Sequence, residues 1–343
     1  MTIIRTGKGR LAFIFWGIRR GMQILRSFPS IQLIHASTYW GAIPASLLGI
    51  LFRKPVLLTV HEIFWKLRTR YKSRKTARLY RLFEWIIFQL PFAKYHCVSL
   101  YTLNALRLVY GIPDKKLFLA YNGVDYEFWS REKVSKQESL AVQKKFWLIG
   151  KRNLLYFGHT GISKGIDTLV EAIPELLEQD PELQLIFNLI PAQRDTFIKE
   201  KIQTFLSDLP PSQKGRVKIW NGLPKEELRA LVANVQAVVA PSLSEGFWSV
   251  HTETLAMGTP LITTQVASLP EVIWGKTIFF SPWDKKELIA AVIHLKSEKY
   301  IPLPEKKFSW DKQYAILLEQ YQNLWVDSEL NSHRKVNLKK PKH

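Results

Sequence analysis

Short apolar runs alternate with amphipathic stretches along most of the chain, and the two periods predict strands and helices in turn. In the first half, 31–34 (IQLI), 56–60 (VLLTV), 95–99 and 117–120 read as buried strands. Helical spacing covers 11–26, 41–51 and 102–110, the last closed by Gly111. In the second half, strands at 154–157, 183–187, 217–220 and 235–240 alternate with helices at 165–177 and 225–233. Such alternation predicts an α/β fold with doubly wound parallel sheets. Residues 131–150 are polar and lack a sheet pattern, so they read as a linker. The expected organisation is a domain at 1–130, a linker at 131–150 and a second domain at 151–308. A terminal helix at 309–326 and a basic tail at 327–343 follow. In the helix Trp310, Tyr314, Leu317, Leu318, Tyr321 and Leu324 share one face, behind Ser309 as N-cap. That face needs a partner, and its return to the N-terminal domain is the expectation.

Two strand-to-helix turns carry the candidate chemistry. The first lies in PSLSEGFWSVHTETLAMGTP at 241–260, where Glu245 and Glu253 stand eight positions apart. Gly246 gives a tight turn, 249–257 reads as helix, and Gly258 with Pro260 ends it. The second is Gly158-His159-Thr160-Gly161-Ile162-Ser163-Lys164-Gly165. Its glycines admit a ligand close to the backbone, and Lys164 puts a cation beside a helix start, as a phosphate site requires. It is not a Walker A loop. In open parallel sheets, ligands sit at turns of this kind.

The 343 residues suit two domains, and a 47% hydrophobic content allows each a core. The formal charge of +20 points to an acidic partner. One cysteine, Cys97, excludes an internal disulfide and a cysteine metal cluster, and it suits a reducing cytoplasm. No run reaches the ~18 apolar residues of a membrane span. The stretch 66–81, from Lys66 to Arg81, holds eight cations and no acid, with Lys66, Arg70, Arg74 and Arg78 at i,i+4. It reads either as a solvated helix face or as a patch for anionic lipid. No recognition-helix, zinc-finger or RNP pattern supports nucleic acid as the partner.

Together the two turns resemble the retaining glycosyltransferases of family 4. The family's paired carboxylates appear as Glu245 and Glu253, followed by Ala256-Met257-Gly258-Thr259-Pro260. Its phosphate loop appears as Gly158 to Gly165, its Asn-Gly-Val-Asp turn as Asn122 to Asp125, and a later segment as Ser268 to Glu271. The resemblance implies a GT-B fold, two Rossmann-like domains facing a cleft. It also implies transfer of a hexose from a UDP- or GDP-sugar to a glycan or polyprenyl-linked acceptor, with retention and with no metal or cofactor. Lys164 would neutralise the diphosphate. The amides of Gly246, Phe247 and Trp248 would contact phosphate or sugar. Glu253 would take the ribose hydroxyls, and Glu245 would face the transferred sugar. His61 would stand near the reaction centre, with His35 and Asn122 as acceptor-side candidates. The expected location is the cytoplasm, at the inner face of a membrane.

Three departures from the family pattern qualify this picture. His159 replaces the arginine of the phosphate loop, Trp248 replaces a small glycine, and no strand with a glycine-rich loop precedes 11–26. Neutral histidine lacks the fixed fork that arginine offers phosphate. The first domain is therefore expected to lack its opening strand and loop, which would leave neighbouring strands uncovered. A non-catalytic relative that binds a nucleotide sugar or a partner enzyme is the alternative reading.

Overall fold

Two sheets, one parallel and one mainly parallel, each with its own core, organise the chain. Met1–Gly123 with Trp310–His343 forms one compact unit and Val124–Ser309 the other. The structure is a computed structural model, and it describes residues 9–64, 74–190, 196–247, 249–297 and 300–337.

The first unit is a four-stranded sheet in the order β1 (Ile34–Ser37), β2 (Val56–Val60), β3 (Lys94–Cys97), β4 (Leu117–Leu119). All its pairs are parallel. Helix α1 (Arg10–Ser27) precedes β1. Helices α2 (Ala42–Phe52), α3 (Arg74–Gln89) and α4 (Leu100–Leu108) make the crossovers. Alternate residues Ala36, Val56, Leu58, Val60, Tyr95 and Cys97 face these crossovers and form one core with Ala45, Phe88 and Leu106. The small residues of α2 are there for contact. A Cβ on Gly49 would stand 2.3 Å from the Val56 side chain. Burial pushes the Cys97 thiol up to about 12, so it is a core thiol and not a nucleophile.

Two expectations shift here. The first strand lies at 34–37, not 31–34, because Ile34 pairs with Val56 and Ser37 with Thr59, while the Ile31 amide closes a turn onto Phe28. His35 is therefore inside β1 and not just past its end. Helix α4 begins two residues early, at Leu100, because Ser99 caps it by accepting from the Thr102 amide. Among the described residues β1 pairs on one side only.

The second unit is a seven-stranded sheet, ordered β11-β10-β9-β8-β5-β6-β7. Its strands are β5 (Arg152–His159), β6 (Leu183–Ile190), β7 (Val217–Trp220), β8 (Ala237–Ala240), β9 (Leu261–Thr264), β10 (Gly275–Phe280) and β11 (Ile301–Leu303). Among the described strands only β11 runs antiparallel to its neighbour. Residues 131–150, expected as a linker, hold helix α5 (Lys136–Lys145) and belong to this unit. A Ser135–Glu138 capping box starts α5, and Gln143 bonds Asn234 of the neighbouring helix α9 (Lys225–Asn234). Helices α6 (Ile166–Gln179), α7 (Thr196–Asp208), α8 (Pro211–Lys214), α10 (Ser249–Ala256), α11 (Leu269–Val272) and α12 (Lys285–His294) complete the unit. The chain closes with α13 (Trp310–Asn337), which reaches well into the stretch expected as a tail. Among the described residues no helix is long and apolar enough to cross a membrane.

Candidate functional site

Strand order in the second sheet reverses between β5 and β8, which lie side by side. That switch point opens a crevice at the carboxyl ends of the strands. Both signature turns leave from it, one after β5 and one after β8. Their backbones are fastened together. The Ser163 carbonyl accepts from the Leu243 amide (2.7 Å) and the Ser244 amide (3.3 Å). Gly165 has φ +61°, and a Cβ there would lie 1.9 Å from the Pro241 carbonyl oxygen. Only glycine meets both the left-handed backbone and the close approach.

This closeness brings Lys164 and Glu245 together. Lys164 Nζ stands 3.3 Å and 3.4 Å from the two carboxylate oxygens, and the side chains are only 8% and 1% exposed. The turn bearing Glu245 is held from behind by Ser268, whose amide (3.2 Å) and hydroxyl (2.9 Å) both donate to the Glu245 carbonyl. Lys164, Glu245, Gly158, Ser242, Tyr156 and His251 line a cavity of about 10 Å³, room for one water. In this state Lys164 holds Glu245, where the resemblance implied a diphosphate.

His251, on α10, takes a structural position. Its Nε2 lies 3.0 Å from the Thr263 hydroxyl, which itself donates to the Ala240 carbonyl. Nε2 therefore carries the proton. Burial, followed by the nearby Lys164 charge, lowers the pKa to about 3, so the ring stays neutral. Glu253 lies further along the same helix, half-buried. Burial raises its pKa to about 7, against the opposing pulls of the Lys225 charge and a hydrogen bond from the Trp129 side chain. Gly246 belongs to the Glu245 turn, and the Phe247 ring meets Phe308 edge-on at 5.2 Å. His159 ends β5 with an exposed ring, while its carbonyl accepts from the Tyr156 hydroxyl (2.8 Å). Trp248 lies outside the described residues.

In the first unit, three strands carry a directed line of hydrogen bonds. His96 Nε2 donates to the Ala120 carbonyl (2.7 Å), which leaves Nδ1 to accept from the Thr59 hydroxyl (3.0 Å). Thr59 in turn accepts from His35 Nε2 (2.6 Å), and His35 Nδ1 accepts from the Tyr321 hydroxyl of α13 (2.6 Å). Burial, helped by the charges of His35 and His61, lowers the His96 pKa to about 4. His35 is lowered too, by burial and then by His61. His61 follows β2, is lowered by burial, and its amide donates to the Thr38 hydroxyl (3.4 Å). Asn122 accepts from Gln313 of α13 (2.8 Å).

The second unit thus joins Lys164 to Glu245 and gives Glu253 a separate environment. His35, His61 and Asn122 lie in the first unit. Sequence patterns did not point to Trp129 or Thr263, and they gave Ser268 and Tyr321 no partner; Tyr321 meets His35 286 positions away, while Thr263 meets His251 only 12 positions on. Of the 66–81 stretch, 74–81 lie in α3, and 65–73 fall outside the described residues. Among the described residues no group of three or more His, Cys, Asp or Glu is placed to hold a metal ion.

Two family models match the chain. "Glycosyltransferase Family 4" matches residues 3–128, and "Glycosyl transferases group 1" matches 151–298. An uncharacterised glycosyltransferase of Methanocaldococcus jannaschii is 27% identical over 229 residues. That match takes 59% of this chain and 53% of the relative, so the chain spans about half the length of that curated protein. Sucrose-phosphate synthase of Thermosynechococcus elongatus superposes with a TM-score of 0.73 at 20% identity, over 94% of this chain and 83% of that one. HepE of Anabaena, solved in complex with UDP-glucose, gives 0.67 at 14% identity, over 92% and 82%. The fold is GT-B, built of two Rossmann-like units. With its two halves matched in order by these models, the chain belongs to the family 4 glycosyltransferases.

Proposed function

We propose that the protein moves a hexose from a nucleoside-diphosphate sugar to a glycan or polyprenyl-linked acceptor, with retention at the anomeric carbon and without a metal. The observation that carries this reading is the meeting of Lys164 and Glu245 at the switch point, on two turns fastened backbone to backbone. The anomeric carbon–oxygen bond to the diphosphate breaks as an acceptor hydroxyl oxygen bonds to the same carbon; the nucleoside diphosphate leaves with the electron pair and takes up the proton the hydroxyl gives up. The main demand is to stabilise that developing charge. Lys164 takes the diphosphate, assisted by the amides of Gly246, Phe247 and Trp248. Glu245, released from Lys164, accepts from the sugar hydroxyls, and ionised Glu253 accepts from the ribose. His159 contributes less charge than an arginine would. His61 serves near the reacting carbon, and His35 and Asn122 serve the acceptor. HepE binds UDP-glucose, so UDP-sugars are the first donors to try. The acceptor is met at the inner face of a membrane, with Lys66 to Arg81 toward anionic lipid and no nucleic acid involved.

A second reading, a non-catalytic nucleotide-sugar binder, draws on one observation: Glu245 is 1% exposed and already engaged by Lys164. Nucleotide release from a panel of UDP- and GDP-sugars separates the two. Transfer predicts release that Glu245→Ala abolishes. Donor binding with no release by the wild type supports the second reading.

A further inference from the structure

The two sides of α3 differ sharply in chemistry. Inward it buries Ala77, Glu84, Ile87 and Phe88. Glu84 accepts there from the hydroxyls of Tyr39 (2.5 Å) and Tyr110 (2.6 Å) and the amide of Phe64 (3.1 Å). Outward it shows Leu79, Leu82, Trp85 and Ile86, exposed by 66%, 52%, 49% and 47%. At 3.6 residues per turn, Leu79, Leu82 and Ile86 fall within about 60° of arc. Exposed Arg74, Arg78 and Arg81 fill an adjoining arc of about 60°, with Trp85 among them. Glu84 is the helix's one acid, and it faces inward. The surface continues through Trp40. The guanidinium of Arg10, at the start of α1, lies 4.9 Å from the Trp40 ring centre, and that ring is 5.5 Å from Phe83 of α3.

Charge is divided just as unevenly between the two units. The first has 26 Lys and Arg against 7 Asp and Glu, hence +19 of the chain's formal +20. The second has 23 against 22.

We propose that the outward face of α3 docks the protein on an anionic bilayer, with the helix lying in the plane of the interface. An apolar strip bordered by arginines is what such a helix needs: the strip enters the acyl boundary and the cations meet phosphate headgroups. Nucleic acid would use the arginines and leave Leu79, Leu82 and Ile86 in water. This inference deepens the membrane-side reading above. Vesicle binding tests it without donor or acceptor, so its failure is distinct from a failure of sugar transfer.

The test is flotation of the full chain with phosphatidylcholine vesicles, plain or with about one third phosphatidylglycerol. Binding to the anionic vesicles alone is expected. The triple variant Arg74→Gln/Arg78→Gln/Arg81→Gln should bind about a hundredfold more weakly, roughly fivefold per cation. Leu82→Glu/Ile86→Glu should lose binding while keeping the wild-type melting temperature, since both side chains already face water. The proposal is overturned if the chain floats equally with neutral vesicles. It is also overturned if either variant floats like the wild type, or if the chain binds a single-stranded oligonucleotide and no vesicle.

Discussion

Glu253 ties the proposed donor site to pH. Its pKa of about 7 leaves it roughly half protonated in neutral solution. A protonated carboxyl accepts less well from two ribose hydroxyls, so donor binding should weaken as pH falls through 7, approaching tenfold in Kd per unit below it. Calorimetric titration of UDP between pH 5.5 and 8.5 checks this, and Glu253→Gln should bind more weakly with a flat profile. Lys164 and Glu245 make a different prediction, about stability. Removing one partner of a buried ion pair strands the other charge, so Lys164→Met should cost about 3–5 kcal/mol in urea unfolding. Lys164→Met/Glu245→Gln should recover most of that loss. A single substitution costing less than about 1 kcal/mol would show that the pair is not buried in solution.

At the scale of elements, the two turns behave as one. Gly165→Ala forces a Cβ against the Pro241 carbonyl from a left-handed backbone. It should lower stability by at least about 1 kcal/mol and weaken UDP binding, although Pro241 is far along the chain. Calorimetry together with thermal melting reads both effects. The local parts of this arrangement were legible in the sequence. The glycines, Lys164, both glutamates and the stop at Gly258 (φ +65°) are short-range signals. The pairing of Lys164 with Glu245 spans 81 positions, and no spacing rule fixes it. The Trp129 bond to Glu253 is longer still. Helix α5 looked like a linker because only Val142 is buried along it. Its Ser135–Glu138 capping box was the available signal. The register of β1 depends on β2, so IQLI alone misplaced the strand and, with it, His35.

For the whole molecule, the two units should respond differently to acid. In the first, His96 has a pKa of about 4, below its unfolded value of ~6.5, so its stabilisation is lost as pH falls from 6.5 toward 4. The loss is about 2 kcal/mol between pH 7 and 5, and lowered His35 and His61 act in the same direction. In the second unit, His251 at about 3 loses a similar amount. Glu253 at about 7 lies above its unfolded value, and its protonation returns about 2 kcal/mol over the same range. The second unit should therefore hold nearly level while the first weakens. Native-state hydrogen exchange, comparing β3 with β8 at pH 7 and 5, resolves the two; equal changes in both would refute the prediction. The seating of Glu84 bears on how the molecule behaves in water. With three donors fixed on one buried carboxylate, α3 cannot swivel about its long axis to hide its leucines. The same greasy side is on display whether or not anything lies against it. A change at Glu84 would strand those donors and free the helix to turn, so solubility and self-association in free solution should shift together with stability, apart from any chemistry at the switch point.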